Sequence, residues 1–233
     1  MSDETEAIKE VAKATQEVAK VASNVIDTGR EMGSFASRYI SGPLEQVSGI
    51  VVDKLRYIRW ERQQRLIRRA EEYTREYGLS APNKQIPVKN ILPLLEYATL
   101  EEDDTLQDMW ARLLVNGTIE STGVNIERSF IEILAQLSPL EAQILQVIYS
   151  LPFESIKHGV VTENLPFSAK AVEEKPETKY GEPSKEIKLA LANLARIGCL
   201  MFTPTFGGVQ IFSEINPTFI GKEFVVACSV KQN

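Results

Sequence analysis

The chain has 233 residues, of which 43% are apolar and 25% charged, an ordinary composition for a folded protein. The net charge of −6 excludes a protein that binds nucleic acid over its whole surface, because phosphate neutralisation requires a basic face. No long apolar run is free of charge, and the acidic start MSDETEAIKE has no apolar core, so neither a membrane-spanning helix nor a secretory signal is expected.

Residues 7–39 carry the most regular pattern in the chain, with small or apolar residues spaced alternately by four and three. This is the a/d spacing of a coiled-coil seam. Alanine and valine bury little area per turn, so the helix needs a partner helix, a second copy or a lipid surface to be stable. The main residues of this membrane or partner seam are Val11, Val18, Val21, Val25, Met32 and Phe35.

A second long helix is predicted over residues 44–77, after a break at Gly42-Pro43. Arginines recur along it, mostly every three residues, and this spacing winds them around roughly 240° of the helix surface. Three interpretations stay open: they pair with the acidic segment that follows, contact an anionic membrane surface or protein partner, or contact nucleic acid. The arginines of this basic ladder are Arg56, Arg59, Arg62, Arg65, Arg68 and Arg69.

Residues 78–137 form an acidic middle segment, with 4 basic and 9 acidic residues. Apolar spacing predicts helices over residues 90–97, 103–119 and 129–136. Four consecutive acids at 101–104 come at the start of the second helix, where the helix dipole favours negative charge. We expect them to cap and solvate that helix rather than to bind a metal.

Residues 138–233 predict a winged-helix-like α+β module. The motif SPLE at 138–141 is a capping-box start for its first helix. A polar, irregular insertion is expected at about 154–184. The apolar spacing of KEIKLALANLAR then predicts a helix that Gly198 ends.

Two strands and a last helix complete the predicted module. The strands lie within CLMFTP and VQIFSEI, and the glycine pair of TFGG between them fits a turn. The last helix is predicted to begin at the NPT of NPTFIGKEFVVAC. The fold class is therefore mainly α: long N-terminal helices over residues 1–77, a helical middle over 78–137, and the α+β module over 138–233.

A winged helix that reads DNA needs long polar side chains on the exposed face of its third helix. Glu182 and Glu186 oppose the basic residues here, residues 190–192 are Ala-Leu-Ala, and the predicted turn has no basic residue. A protein-interaction module is therefore favoured over a DNA reader. The candidates for nucleic-acid contact are Lys185, Lys188, Asn193 and Arg196.

The sequence offers little for catalysis. His158 is the only histidine, so no Ser-His-Asp or Cys-His arrangement is available, and no glycine-rich phosphate loop occurs. Cys199 and Cys228 lie among apolar residues and are predicted to be buried thiols rather than a disulfide, which fits the cytoplasm. We expect a protein that is not an enzyme and has no cofactor.

Several stretches together resemble the abortive-infection alpha (Abi-alpha) domain family of bacterial proteins. They are LEEDDTLQDMWARLLVNG, SFIEILAQLSPLEAQIL, and the pair LANLARIGCL and NPTFIGKEFVVAC, and the resemblance covers roughly residues 25–228. It implies a setting in antiphage defence and no defined reaction.

The expected function is abortive-infection-type defence, through membrane association or protein assembly by the N-terminal helices and protein contact by the C-terminal module. The alternatives are a winged-helix transcriptional regulator and a structural subunit of a larger defence complex. The expected location is the cytoplasm, with peripheral attachment to the inner face of the cell membrane left open.

Overall fold

The computed structural model describes residues 60–173, 180–203 and 210–229. The predicted N-terminal seam, Arg56 and Arg59 of the basic ladder, and the predicted turn at TFGG lie outside the described residues. Within the described part, no helix is both long and apolar enough to cross a bilayer.

The described chain is mainly helical. Two short 3₁₀ turns, Glu120–Thr122 and Phe153–Ile156, lie between its helices. The helices, numbered along the described chain, are α1 Trp60–Glu76, α2 Val88–Leu100, α3 Asp104–Thr118, α4 Arg128–Leu134, α5 Pro139–Tyr149, α6 Lys185–Arg196 and α7 Phe219–Ala227.

Helix α3 is the centre of the fold. Eleven of its 15 residues are buried, so it has no broad polar face and must be covered on nearly all sides. It packs against α1, α2, α4, α5 and α7. Trp110 fills the middle of the core, and Gly117 lets the chain before α4 approach so closely that a Cβ would collide with Ile126.

Side-chain caps explain where two of these helices begin. The Asp103 carboxylate accepts hydrogen bonds from the backbone N–H groups of Thr105 and Leu106, at 2.9 and 3.0 Å. Of the four acids at 101–104, Asp103 therefore caps α3, as expected. Ser138 and Glu141 form the predicted capping box at the start of α5, with the Glu141 carboxylate 2.7 Å from the Ser138 backbone nitrogen.

Four short strands form an antiparallel sheet in the order β2-β1-β4-β3. Val160 pairs with Ala171 on one side and Ile215 on the other, while Met201 lies opposite Asn216. The strands are β1 Val160–Val161, β2 Lys170–Ala171, β3 Leu200–Phe202 and β4 Glu214–Pro217.

The sheet corrects two details of the sequence analysis. The segment at 154–184, predicted to be an irregular polar insertion, contributes strands β1 and β2, and Val160 and Val161 are buried. A strand of two residues is too short to show an alternating pattern in the sequence. These two strands form through pairing with other strands of the sheet. The last helix begins at Phe219 rather than at Asn216, because β4 extends through Pro217.

One continuous hydrophobic core runs from Leu66 on α1 to Cys228 after α7. Neither predicted boundary, at 77/78 or at 137/138, interrupts it. The Asn116 amide on α3 donates to the carbonyls of Ala227 and Ser229, at 2.9 and 2.8 Å, and the Tyr73 hydroxyl donates to Ser229 at 3.1 Å. The carbonyls at the end of α7 are thus satisfied by α1 and α3.

Tyr149 joins α5 to the start of α7 and to the residue before β3. Its hydroxyl lies 2.7 Å from the Cys199 carbonyl oxygen and accepts a hydrogen bond from the Thr218 backbone N–H at 3.0 Å. Burial raises the pKa of Tyr149 to about 12, so the phenol stays protonated and can act as donor and acceptor at once. Gly221 permits this packing, because a Cβ there would collide with the Tyr149 hydroxyl.

Candidate interaction surfaces

Three arginines of the basic ladder face α3 and pair with its acidic start. Arg62 bonds to Glu102 and to the Leu100 carbonyl; Arg65 and Arg69 both reach Asp104, at 2.7 and 2.8 Å. Arg69 also bonds to Asp108. We call these residues the α1–α3 ion-pair row, formed by Arg62, Arg65 and Arg69 with Glu102, Asp104 and Asp108.

The position of these arginines follows from helix geometry. Positions 62, 65 and 69 share one face of α1, because steps of three and then four residues return almost to the same direction. Arg68 lies off this face and is exposed. Of the three interpretations, the contacts of Arg62, Arg65 and Arg69 match pairing with the acidic segment.

Most of the candidate nucleic-acid contacts on α6 are engaged within the protein. Lys188 pairs with Glu182 at 2.7 Å. The Asn193 amide donates to the Glu141 carboxylate at 2.8 Å, and Arg196 donates to the side-chain oxygen of Asn193 at 2.7 Å. Arg196 also reaches the Gln136 side chain at 2.9 Å. Lys185, the fourth candidate, is exposed at the first turn of α6.

The exposed face of α6 carries a leucine that the sequence analysis did not single out. Leu189 is 64% exposed, and Met201 on the edge strand β3 is 57% exposed. A usable signal was present: Leu189 lies about 200° around the helix from Ile187, well outside the buried apolar stripe. An apolar side chain in this place suits burial by another protein surface and offers no hydrogen bond to a base.

The Glu182 carboxylate, just before α6, connects α6 to the segment that leads into β4. The Glu182 carboxylate accepts a hydrogen bond from Lys188 and another from the Phe212 backbone N–H, at 3.2 Å. The hydrogen bond from Lys188 is the main cause that holds the pKa of the Glu182 carboxyl below its ordinary value. The Lys188 ammonium also lies 5.6 Å from the centre of the Phe212 ring.

Both cysteines are free thiols in the buried core, as predicted. Burial raises the pKa of Cys199 to about 12 and raises that of Cys228 above its ordinary range. Thiols in this state are poor nucleophiles at neutral pH. Among the described residues, no group of three His, Cys, Asp or Glu side chains is placed to hold a metal ion.

Comparison with known proteins gives one result. A family model described as abortive infection alpha matches residues 61–228, from the second residue of α1 to the end of the core. No curated protein and no solved structure matches the chain. Since the family match covers well over half of the sequence, this chain belongs to the abortive infection alpha family.

Proposed function

We propose that the protein acts in abortive-infection-type antiphage defence without catalysing a reaction. In this proposal, the C-terminal module, α5 to α7 with the sheet, binds another protein through the exposed face of α6. Residues 1–59 supply membrane association or assembly. Family membership supports the biological setting. The single observation that carries the choice of protein contact is the exposed Leu189 in the middle of α6.

We infer that this module is winged-helix-like. In support, Gly198 ends α6 with a φ of +84° and turns the chain into β3, which pairs with β4, and β4 pairs in turn with β1. A DNA reader of this kind would hold its polar α6 side chains free for base edges. Asn193 and Arg196 instead bond to residues outside α6, Glu141 and Gln136.

Phage protection by a surface variant tests the role of α6. Leu189→Asp is expected to abolish protection while leaving the protein folded, because the side chain is exposed. Phe167→Asp is the matched control, since Phe167 is 86% exposed at the turn between β1 and β2 and is not part of α6. Full protection by Leu189→Asp would contradict the proposal. So would salt-dependent binding to duplex DNA that Lys185→Glu weakens.

The role of the N-terminal residues is tested by removing 1–59 and not α1, because Leu66 and Ala70 on α1 are fully buried in the core. The shortened chain is expected to stay folded, to lose phage protection and to lose flotation with anionic liposomes if the full-length chain floats. If neither chain floats, assembly through the predicted seam becomes the working mechanism. Full protection by the shortened chain would contradict any role for residues 1–59.

A further inference from the structure

A pocket of about 160 Å³ lies between α1 and α3, at the end of the α1–α3 ion-pair row. Two tyrosines line it, Tyr73 and Tyr77, with their ring centres 4.9 Å apart. Tyr73 is 7% exposed and is fixed by its hydrogen bond to the Ser229 carbonyl. Tyr77 is 40% exposed, so part of its ring is open to solvent at the pocket.

Negative charges outnumber positive ones around the pocket, once the pair between Arg69 and Asp108 is set aside. Arg69 and Asp108 line it but are bonded to each other. Glu72 and Glu76 line it from α1, one helical turn apart, so both carboxylates can reach the same group. Both are exposed, and neither has a hydrogen-bond or ion-pair partner among the described residues.

Arg112 completes the lining from α3. Its guanidinium carbon lies 6.0 Å from the centre of the Tyr73 ring. It has no ion-pair partner among the described residues. Two unpaired carboxylates and one unpaired guanidinium therefore give the pocket a net negative charge beside an aromatic surface. This arrangement disfavours phosphate and favours a cation.

We propose that this pocket binds an arginine side chain of a partner protein. A planar guanidinium can donate to the Glu72 and Glu76 carboxylates together while its flat face lies against the exposed Tyr77 ring. The methylene stem covers the remaining ring surface. The pocket lies on α1 and α3 and uses no residue of α6. The proposal therefore stands independently of the role given to Leu189.

Binding of a small probe by the full-length chain tests the proposal. N-acetyl-arginine amide is titrated at low salt while the ring signals of labelled tyrosines are followed by NMR, with Tyr77→Phe used for assignment. We expect saturable shifts of Tyr77 and Tyr73, with a dissociation constant on the order of millimolar for a single side chain. N-acetyl-citrulline amide, which has the same shape without the charge, should give no saturable shift.

The double variant Glu72→Gln with Glu76→Gln should raise the dissociation constant of the arginine probe by about tenfold or more. Its matched control is Glu120→Gln with Glu127→Gln, which removes two exposed charges away from the pocket and should leave binding unchanged. Equal binding of arginine and citrulline probes, or unchanged binding by the Glu72/Glu76 variant, would overturn the proposal. Absence of any saturable shift in the folded wild-type chain would also overturn it.

Discussion

Gly221 is a residue whose lack of a side chain decides how two helices meet. Its Cα faces the Tyr149 hydroxyl and the Cys199 carbonyl oxygen, and a Cβ there would overlap both. The hydroxyl is itself fixed by the Thr218 backbone N–H, so it cannot move aside without losing hydrogen bonds. The close approach of α7 to α5 therefore depends on glycine at this position.

Gly221→Ala is expected to lower the free energy of unfolding by about 3 kcal/mol or more, because the added Cβ would displace the Cys199 backbone and the hydrogen-bonded Tyr149 hydroxyl. Urea denaturation measures it. Gly181→Ala is the control: its nearest neighbour is the flexible, exposed Glu163 carboxylate, so a change within about 0.5 kcal/mol is expected. Equal stabilities of the two variants would contradict the packing explanation.

Glu182 predicts a dependence of stability on pH. Its pKa is lowered in the folded protein from the ordinary value of 4.5, so its carboxylate contributes stability above that value. That contribution is lost as the pH falls through the folded pKa. The stability difference between wild type and Glu182→Gln should therefore be constant near neutral pH and shrink below about pH 4.5.

Denaturation between pH 3 and pH 7 checks this expectation. Lys188→Met provides the control background, because the hydrogen bond from Lys188 is the main cause of the lowered pKa. In that background, the pH-dependent part of the Glu182→Gln effect should largely disappear. A difference between wild type and Glu182→Gln that stays the same across the range would contradict the assignment.

At the scale of elements, the α1–α3 ion-pair row joins two helices that also share an apolar contact. The arginine side chains are 15 to 28% exposed, whereas Glu102 and Asp104 are 74% exposed. Ion pairs this exposed contribute modestly to the free energy of unfolding, and salt weakens them further by screening. The row therefore orients α1 on α3 more than it holds the two helices together, which is the task of buried residues such as Leu66.

Asp104→Asn is expected to lower the free energy of unfolding by about 1 kcal/mol at low salt, since it removes the shared partner of Arg65 and Arg69. The loss should shrink by half or more in 0.5 M salt. Denaturation at the two salt concentrations measures it. The same substitution in an Arg65→Met, Arg69→Met background measures the helix-dipole effect of Asp104 alone, because both ion pairs are absent there. A loss of stability that does not depend on salt would contradict a role for the ion pairs.

The sequence predicts those elements that are determined by neighbouring residues, and it misses those that depend on distant ones. The capping box at Ser138 and the turn at Gly198 depend on neighbouring residues, and the structure has both. Strand β1 depends on pairing with β4, more than 40 residues away, and β2 depends on pairing with β1, so no local pattern indicates either strand. The candidate residues of α6 are identifiable by type, but Glu141 and Gln136, the partners of Asn193 and Arg196, lie more than 50 residues away.

At the scale of the whole molecule, α1 belongs to the same core as α7. Leu66 and Ala70 are fully buried, and α1 packs against both α2 and α3. A chain of residues 60–233 is therefore expected to unfold in one cooperative thermal transition. A chain of residues 78–233 should lose that transition, because it exposes the side of α3 that α1 covers.

Calorimetry and near-ultraviolet circular dichroism of the two shortened chains distinguish these outcomes. Leu66→Ala in the full-length chain gives an independent reading, with an expected loss of about 2–5 kcal/mol for a fully buried leucine. A cooperative transition of unchanged midpoint in residues 78–233 would show that α1 is not part of the core.

The bonds from Asn116 and Tyr73 to the end of α7 also set a time order for synthesis. Tyr73 and Ser229 are 156 residues apart, and Asn116 and Ser229 are 113 apart. A nascent chain that already contains α1 to α6 still lacks the acceptors for a buried amide. The finished core can therefore close only after the ribosome has added residues 227–229, and a message cut short before them yields a chain that cannot complete it.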